Sequence, residues 1–114
     1  MPHLHLLLSS NLNTFPFADF AHEAHQLLSQ YANIAKCKSK LKFAADTYLG
    51  SDNQNQALIY LEVLLLPRPE EVLQEIGSKL FTLLQAYADP LLAEQHLQGK
   101  VNVELRVLQH YWQS

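Results

Sequence analysis

Cysteine and basic residues are scarce in this chain of 114 residues, and both scarcities argue against particular classes of protein. The single cysteine, Cys37, permits no internal disulfide and indicates a reducing compartment. Eight Lys and Arg against 11 Asp and Glu give a net charge of −3, which lacks the positive surface of a nucleic-acid-binding protein.

Long apolar runs are also missing. No stretch approaches the roughly 20 apolar residues of a membrane-spanning helix. The run 4–8 is short and has no basic region before it, so we expect no signal peptide. These observations predict a cytoplasmic protein with neither a membrane nor a nucleic acid as partner.

The composition is rich in core-forming residues. Hydrophobic residues make up 48% of the chain and charged residues 17%. At this length one hydrophobic core is expected, so residues 1–114 form a single domain. The low charge predicts that some apolar surface pairs with other copies of the chain.

Two different periodicities alternate along the sequence. Spacings of three and four predict amphipathic helices over about residues 16–35 and from Pro69 to about Ala88, the second ending at Asp89-Pro90. Residues 91–97 are expected to form a short helical piece. Alternating or continuous apolar patterns predict strands over residues 2–8, 37–50, 56–66 and 100–109.

The elements follow the order β-α-β twice, in units of about 2–47 and 56–108. Two such units side by side predict an α+β fold, with a four-stranded mixed sheet and both helices on one face. We expect the uncovered face of that sheet to be apolar. Identical subunits packed in a ring would cover it.

Several clusters allow more than one interpretation. His3 and His5 share a strand face, and His22 and His25 share a helix face, but no Cys or acidic residue completes a metal signature, so we expect no metal.

Cys37 lies between two lysines, which would activate a thiol; a packing role is the more common alternative. The lysines at 36, 38, 40 and 42 indicate a solvated strand face rather than a phosphate site. Tyr111 and Trp112 are expected to pack on a neighbouring subunit.

Four segments carry a resemblance to a known family. They are "MPHLHLLLSSNL" with its Ser-x-Asn end, "CKSKLKF", "RPEEVLQEIGSKLFTLLQ" and "VNVELRVL". With the two-βαβ plan, they resemble the tautomerase superfamily, and within it 5-carboxymethyl-2-hydroxymuconate isomerase. Lysine stands at 38 and 40 where the family has arginine, and Leu7 stands where it has an acidic residue.

This resemblance implies a function, an oligomeric state and a set of site residues. The chain would be a homotrimeric, cofactor-independent isomerase that converts the enol of an unsaturated 2-hydroxy (di)carboxylic acid to the ketone. Pro2 would be the general acid/base after removal of Met1. Lys38 and Arg68 would bind carboxylate and stabilise the enolate, with Lys40 as a further substrate-binding residue.

Two other functions fit the same sequence. The first is a catalytically inactive trimer with this fold that binds a small acid or acts as a scaffold. The second is a ferredoxin-like regulatory or ligand-binding domain, which explains the βαβ order but leaves the proline at position 2 without a role.

Overall fold

The structure is a computed structural model that describes residues 2–31, 36–44, 56–110 and 112. Four strands and two long helices alternate in the predicted order. They are β1 (His3–Leu8), α1 (Phe17–Leu28), β2 (Lys38–Phe43), β3 (Ile59–Leu65), α2 (Glu70–Glu94) and β4 (Val101–Val107), with a short 3₁₀ turn at Ser10–Leu12.

The strands form one sheet in the order β2-β1-β3-β4. β1 pairs with β2 in parallel, β3 pairs with β4 in parallel, and the two central strands run antiparallel to each other. Each βαβ unit therefore contributes one parallel pair, and the predicted four-stranded mixed sheet is confirmed.

The core lies between the sheet and the two helices. Alternate residues of the central strands point toward the helices and are at most 1% exposed: Leu4, Leu6 and Leu8 on β1 and Ile59, Leu61, Val63 and Leu65 on β3. They pack against buried side chains of both helices, such as Phe20 and Leu80. The burial of one strand face under both helices confirms that the helices share that face.

The other face of the sheet, here called the open face, is polar, so the expectation of an apolar face is wrong. The strand register places the following residues on it: Lys38, Lys40, Lys42, His3, His5, Leu7, Tyr60, Glu62, Leu64, Asn102, Glu104 and Arg106. Only Leu7 and Leu64 of these are apolar. The leucine-rich appearance of β1 and β3 comes mainly from residues that face the helices.

Helix α2 continues through Pro90 to Glu94, so the prediction that Asp89-Pro90 ends it is wrong. A proline inside a helix removes one backbone hydrogen bond and costs about 3 kcal/mol. However, Leu84, Ala88 and Leu92 follow one another at four-residue spacing and are at most 8% exposed, while Pro90 faces solvent. Burial of Leu84 and Ala88 before Pro90, and of Leu92 after it, offsets the free energy lost with that hydrogen bond.

The remaining element boundaries are narrower than the sequence predicts. Helix α1 ends at Leu28 and a turn follows it, whereas residues 32–35 of the predicted helix lie outside the described residues. Strand β2 ends at Phe43, and residues 45–50 also lie outside them. In the part of the chain that the structure describes, no helix combines the length and the apolar character needed to cross a bilayer.

Candidate functional site

Pro2 and Lys38 lie next to each other at one end of the sheet. Pro2 directly precedes β1 and is buried. Its carbonyl oxygen accepts a hydrogen bond of 3.1 Å from the backbone N–H of Lys38, which is the first residue of β2. The strand ladder therefore holds residue 2 in place, as expected for a residue attached to the first strand.

Arg68 belongs to the same end of the sheet. β3 runs antiparallel to β1, so its last residues lie opposite the start of β1, and His3 is paired with Leu64. Arg68 follows the end of β3 and stands between two prolines that restrict its backbone, immediately before α2. Three of the predicted site residues thus lie at this end of the sheet, here called the Pro2 end, where β1 and β2 begin and β3 and β4 end.

The open face carries a cavity of about 260 Å³ close to the Pro2 end. Its lining contains two predicted residues, Lys38 and Lys40, together with His3, His5 and Ser39. Among the described residues, Pro2 and Arg68 do not line this cavity. The predicted residues therefore form two neighbouring groups. Pro2, Lys38 and Arg68 lie at the Pro2 end, and Lys38 and Lys40 line the cavity.

His3 and His5 are candidate site residues that the sequence-based predictions did not include. In the strand register His3 is paired with Lys38 and His5 with Lys40. The alternation of His3 and His5 on β1 and of Lys38 and Lys40 on β2 is visible in the sequence, because alternate residues of a strand share a face. Placing the histidines beside the lysines also requires the pairing of β1 with β2 and its register.

The carboxylates of the open face are held by one arginine. The Arg106 guanidinium Nε lies 3.2 Å from Glu62 and 3.4 Å from Glu104. Glu62 also lies 3.5 Å from Nδ1 of His5, and the Tyr60 hydroxyl donates a hydrogen bond to Glu104. These contacts connect β4, β3 and β1 and end at the cavity.

Charge and burial affect the protonation of this face. Burial lowers the pKa of His3, and the neighbouring His5 and Lys38 lower it further. The hydrogen bond to Glu104 raises the pKa of Tyr60 and lowers that of the Glu104 carboxyl. The cavity is therefore a cationic environment that disfavours further positive charge.

The helix histidines have a different role from the one considered for a metal site. Nε2 of His25 is hydrogen-bonded to the Ser39 hydroxyl over 2.6 Å and so connects α1 to β2. Burial lowers the pKa of His25. Within residues 2–31, 36–44, 56–110 and 112, no three His, Cys, Asp or Glu side chains come together in a way that could hold a metal ion.

Cys37 is half-buried just before β2. Burial raises the pKa of its thiol, which opposes the activation that its two lysine neighbours would provide. This environment favours the packing interpretation.

The Ser-x-Asn segment after β1 has a structural role. Ser9 is 2% exposed, and its hydroxyl accepts a hydrogen bond of 2.9 Å from the N–H of Leu58. The same hydroxyl donates to Oδ1 of Asn11, whose side-chain amide donates to the carbonyl of Gln56 over 2.8 Å. The motif thereby joins the end of β1 to the start of β3, at the end of the sheet farther from Pro2.

A larger cavity, of about 660 Å³, lies at that farther end. Leu92 of α2 and Leu97, in the segment after α2, line it, together with Gly99, Lys100 and Asn102 around the start of β4. None of the predicted site residues is part of its lining in the described chain.

Comparisons with known proteins give matches among solved structures alone, since no protein-family model matches the chain and no curated protein matches its sequence. A 5-carboxymethyl-2-hydroxymuconate delta-isomerase superimposes with a TM-score of 0.81 at 16% identity, covering 100% of this chain and 87% of the other. A 5-carboxymethyl-2-hydroxymuconate isomerase from Deinococcus radiodurans R1 gives a TM-score of 0.78 at 19% identity, with 99% and 88% covered.

More distant similarity reaches other proteins of the same architecture. The macrophage migration inhibitory factor of Trichinella spiralis gives a TM-score of 0.57 at 14% identity, covering 96% of this chain and 95% of the other. Such identities establish the fold and leave the activity open. The chain has the fold of these solved structures, and its resemblance to 5-carboxymethyl-2-hydroxymuconate isomerases is confirmed at the level of that fold.

Proposed function

We propose that this protein is a cofactor-independent isomerase. Its reaction is the enol–keto tautomerisation of an unsaturated 2-hydroxy (di)carboxylic acid similar to 5-carboxymethyl-2-hydroxymuconate. Pro2 is the general acid/base, Lys38 and Arg68 are its catalytic partners, and Lys40 contributes to substrate binding. The observation that carries the proposal is the common location of Pro2, Lys38 and Arg68 at one end of a sheet with this fold.

The burial of Pro2 and its place at the start of a strand support its proposed role as general base. With Met1 removed, its nitrogen is a secondary amine at the start of a strand; Met1 itself lies outside the described residues. Burial and a nearby cation both disfavour a charged amine; Pro2 is buried, and the backbone of Lys38 is hydrogen-bonded to the Pro2 carbonyl. A neutral amine on a rigid strand accepts a proton from a fixed direction.

The proton balance of the reaction needs no other reactant. The Pro2 nitrogen takes the proton of the enol hydroxyl and returns it to a carbon of the resulting enolate, so the amine is regenerated. Lys38 and Arg68 stabilise the negative charge that develops on the enolate oxygen and bind the adjacent carboxylate. A lysine offers a single point charge and no planar fork, so orientation of the carboxylate depends more on Arg68.

The proposal includes a homotrimeric state and a cytoplasmic location for the protein. The apolar open face that favoured a trimer from the sequence is absent, so support for oligomerisation comes from the fold and from exposed apolar residues. Leu66 and Val107, after β3 and at the end of β4, are 42% and 37% exposed at the Pro2 end. Sedimentation of a trimer is the expected result, and a monomer at micromolar concentration would contradict this part of the proposal.

The test is a spectrophotometric assay of ketonisation with 2-hydroxymuconate. Wild-type protein is expected to accelerate the reaction, and Pro2→Ala to reduce kcat by at least about 100-fold, as is typical for loss of a general base. Pro90→Ala is the matched control, because Pro90 is exposed on α2, and it should leave kcat unchanged. A Pro2→Ala variant with undiminished activity would exclude the mechanism.

The second candidate is an inactive protein that binds a small acid. It is favoured by the cavity lined by Lys38 and Lys40, since two ammonium groups hold a carboxylate without any base. The mass of the intact protein can exclude the isomerase. The isomerase requires removal of Met1, because the Pro2 nitrogen stays an amide when Met1 is fully retained, and only the binding function then remains.

A further inference from the structure

Two pairs of cationic or ionisable residues face each other across β1 and β2. His3 lies opposite Lys38, and His5 lies opposite Lys40, all on the open face. All four line the same cavity of about 260 Å³. The two imidazole rings are 6.3 Å apart between centroids and nearly perpendicular, at 79°.

Among the described residues, the cationic side chains around this cavity outnumber the carboxylates. Glu62 lies beside the cavity, and Arg106 and His5 both contact it. Glu104 is occupied by Arg106 and Tyr60. The charged groups on the same face as the two histidines are mostly cationic in the described chain. They are Lys38, Lys40 and Lys42 on the adjacent β2, Glu62 on the adjacent β3, and Arg106 and Glu104 on β4, one strand farther away.

We propose that His3 and His5 are anion-binding residues that, with Lys38 and Lys40, form a site for a carboxylate group. The site binds more tightly when the imidazoles are protonated. The four side chains line this cavity and can all donate charge-assisted hydrogen bonds, which carboxylate oxygens accept. The identification of the carboxylate as part of the substrate rests on the proposed function, whereas the site itself does not.

The pH dependence follows from linkage. Without an anion, burial, His5 and Lys38 all lower the pKa of His3, so the imidazole is mainly neutral at pH 7. A carboxylate beside the ring favours the charged form and raises that pKa. By reciprocity, each unit of increase corresponds to about tenfold tighter binding of the anion to the protonated site.

Fumarate is a suitable probe, because it is a stable dicarboxylate that stays doubly charged between about pH 5.5 and pH 8, the range in which histidine titrates. We expect calorimetry to give a Kd at least about tenfold lower at the acidic end. NMR titration of the imidazoles should show the pKa of His3 rising when fumarate is added. Equal Kd values at the two pH values would overturn the proposal.

Variants separate the histidines from the lysines. In the double variant His3→Gln/His5→Gln the pH dependence of Kd should disappear, and its persistence would contradict the proposal. Lys40→Gln should weaken binding at both pH values while the pH dependence remains. His22→Gln is the matched control, because His22 is exposed on α1 away from the cavity, and it should change neither quantity.

The outcome is independent of the isomerase test. If the protein binds fumarate with this pH dependence but does not ketonise 2-hydroxymuconate, the proposed function fails and the anion site stands. If it ketonises the substrate but binds fumarate equally at both pH values, the histidine site fails and the proposed function stands.

Discussion

Removal of the Ser9 hydroxyl should destabilise the fold without touching the candidate site. In Ser9→Ala, the hydrogen bond to Asn11 is lost and the N–H of Leu58 loses its acceptor. Ser9 is 2% exposed, so water does not readily replace the hydroxyl. An unsatisfied buried backbone donor costs about 1–3 kcal/mol, and we expect the free energy of unfolding to fall by about 2 kcal/mol.

Urea denaturation followed by circular dichroism measures this loss. With an m-value of about 2 kcal/mol per molar urea, the midpoint should fall by about 1 M with no change in m. Ser29→Ala is the matched control, because the Ser29 hydroxyl donates to the carbonyl of Gln26 at the exposed end of α1. Its effect should stay below about 0.5 kcal/mol.

A midpoint for Ser9→Ala equal to that of Ser29→Ala would refute the reasoning. The junction between β1 and β3 would then be held by the backbone bonds alone, such as the 3.0 Å bond from the N–H of Ser9 to the carbonyl of Leu58. The kcat for ketonisation should be the same in both variants, because the Ser-x-Asn segment lies at the end of the sheet farther from Pro2.

Three further predictions concern the end of α2 and one helix contact. His96 has φ of 53° in the turn that ends α2, so His96→Gly should raise the free energy of unfolding by about 1 kcal/mol in urea titrations. A Cβ at Gly99 would lie 2.8 Å from the carbonyl oxygen of Ala57, so Gly99→Ala should lower the thermal midpoint. The hydrogen bond to Glu23 raises the pKa of Tyr87 to about 12, and the stability from this contact should be present below about pH 10 and be lost as pH rises toward 12, a loss absent from Tyr87→Phe in alkaline unfolding.

The fold was predictable because its signals are local. Strand and helix periodicities gave the element order, and the shared handedness of βαβ crossovers gave the sheet and the single helical layer. The continuation of α2 past Pro90 was not predictable in the same way. It depends on the burial of Leu92 against the core, a tertiary contact that outweighs the local cost of a proline.

The candidate site was predictable only in part. The resemblance identified Pro2, Lys38, Lys40 and Arg68 from short motifs. The polar character of the open face depends on which strands are neighbours and on their register. Both depend on contacts between distant segments of the chain, so local sequence patterns do not determine them. The position of His5 beside Lys40 therefore could not be predicted before the strand pairing was known.

The central claim is that the Pro2 nitrogen is a titratable secondary amine rather than an amide. NMR of protein labelled with ¹⁵N-proline observes this nitrogen directly as pH is changed. We expect one proline resonance that titrates with a pKa below the value of about 8 of an ordinary terminal amine. A spectrum in which every proline nitrogen has the shift of an amide, unchanged with pH, would contradict it.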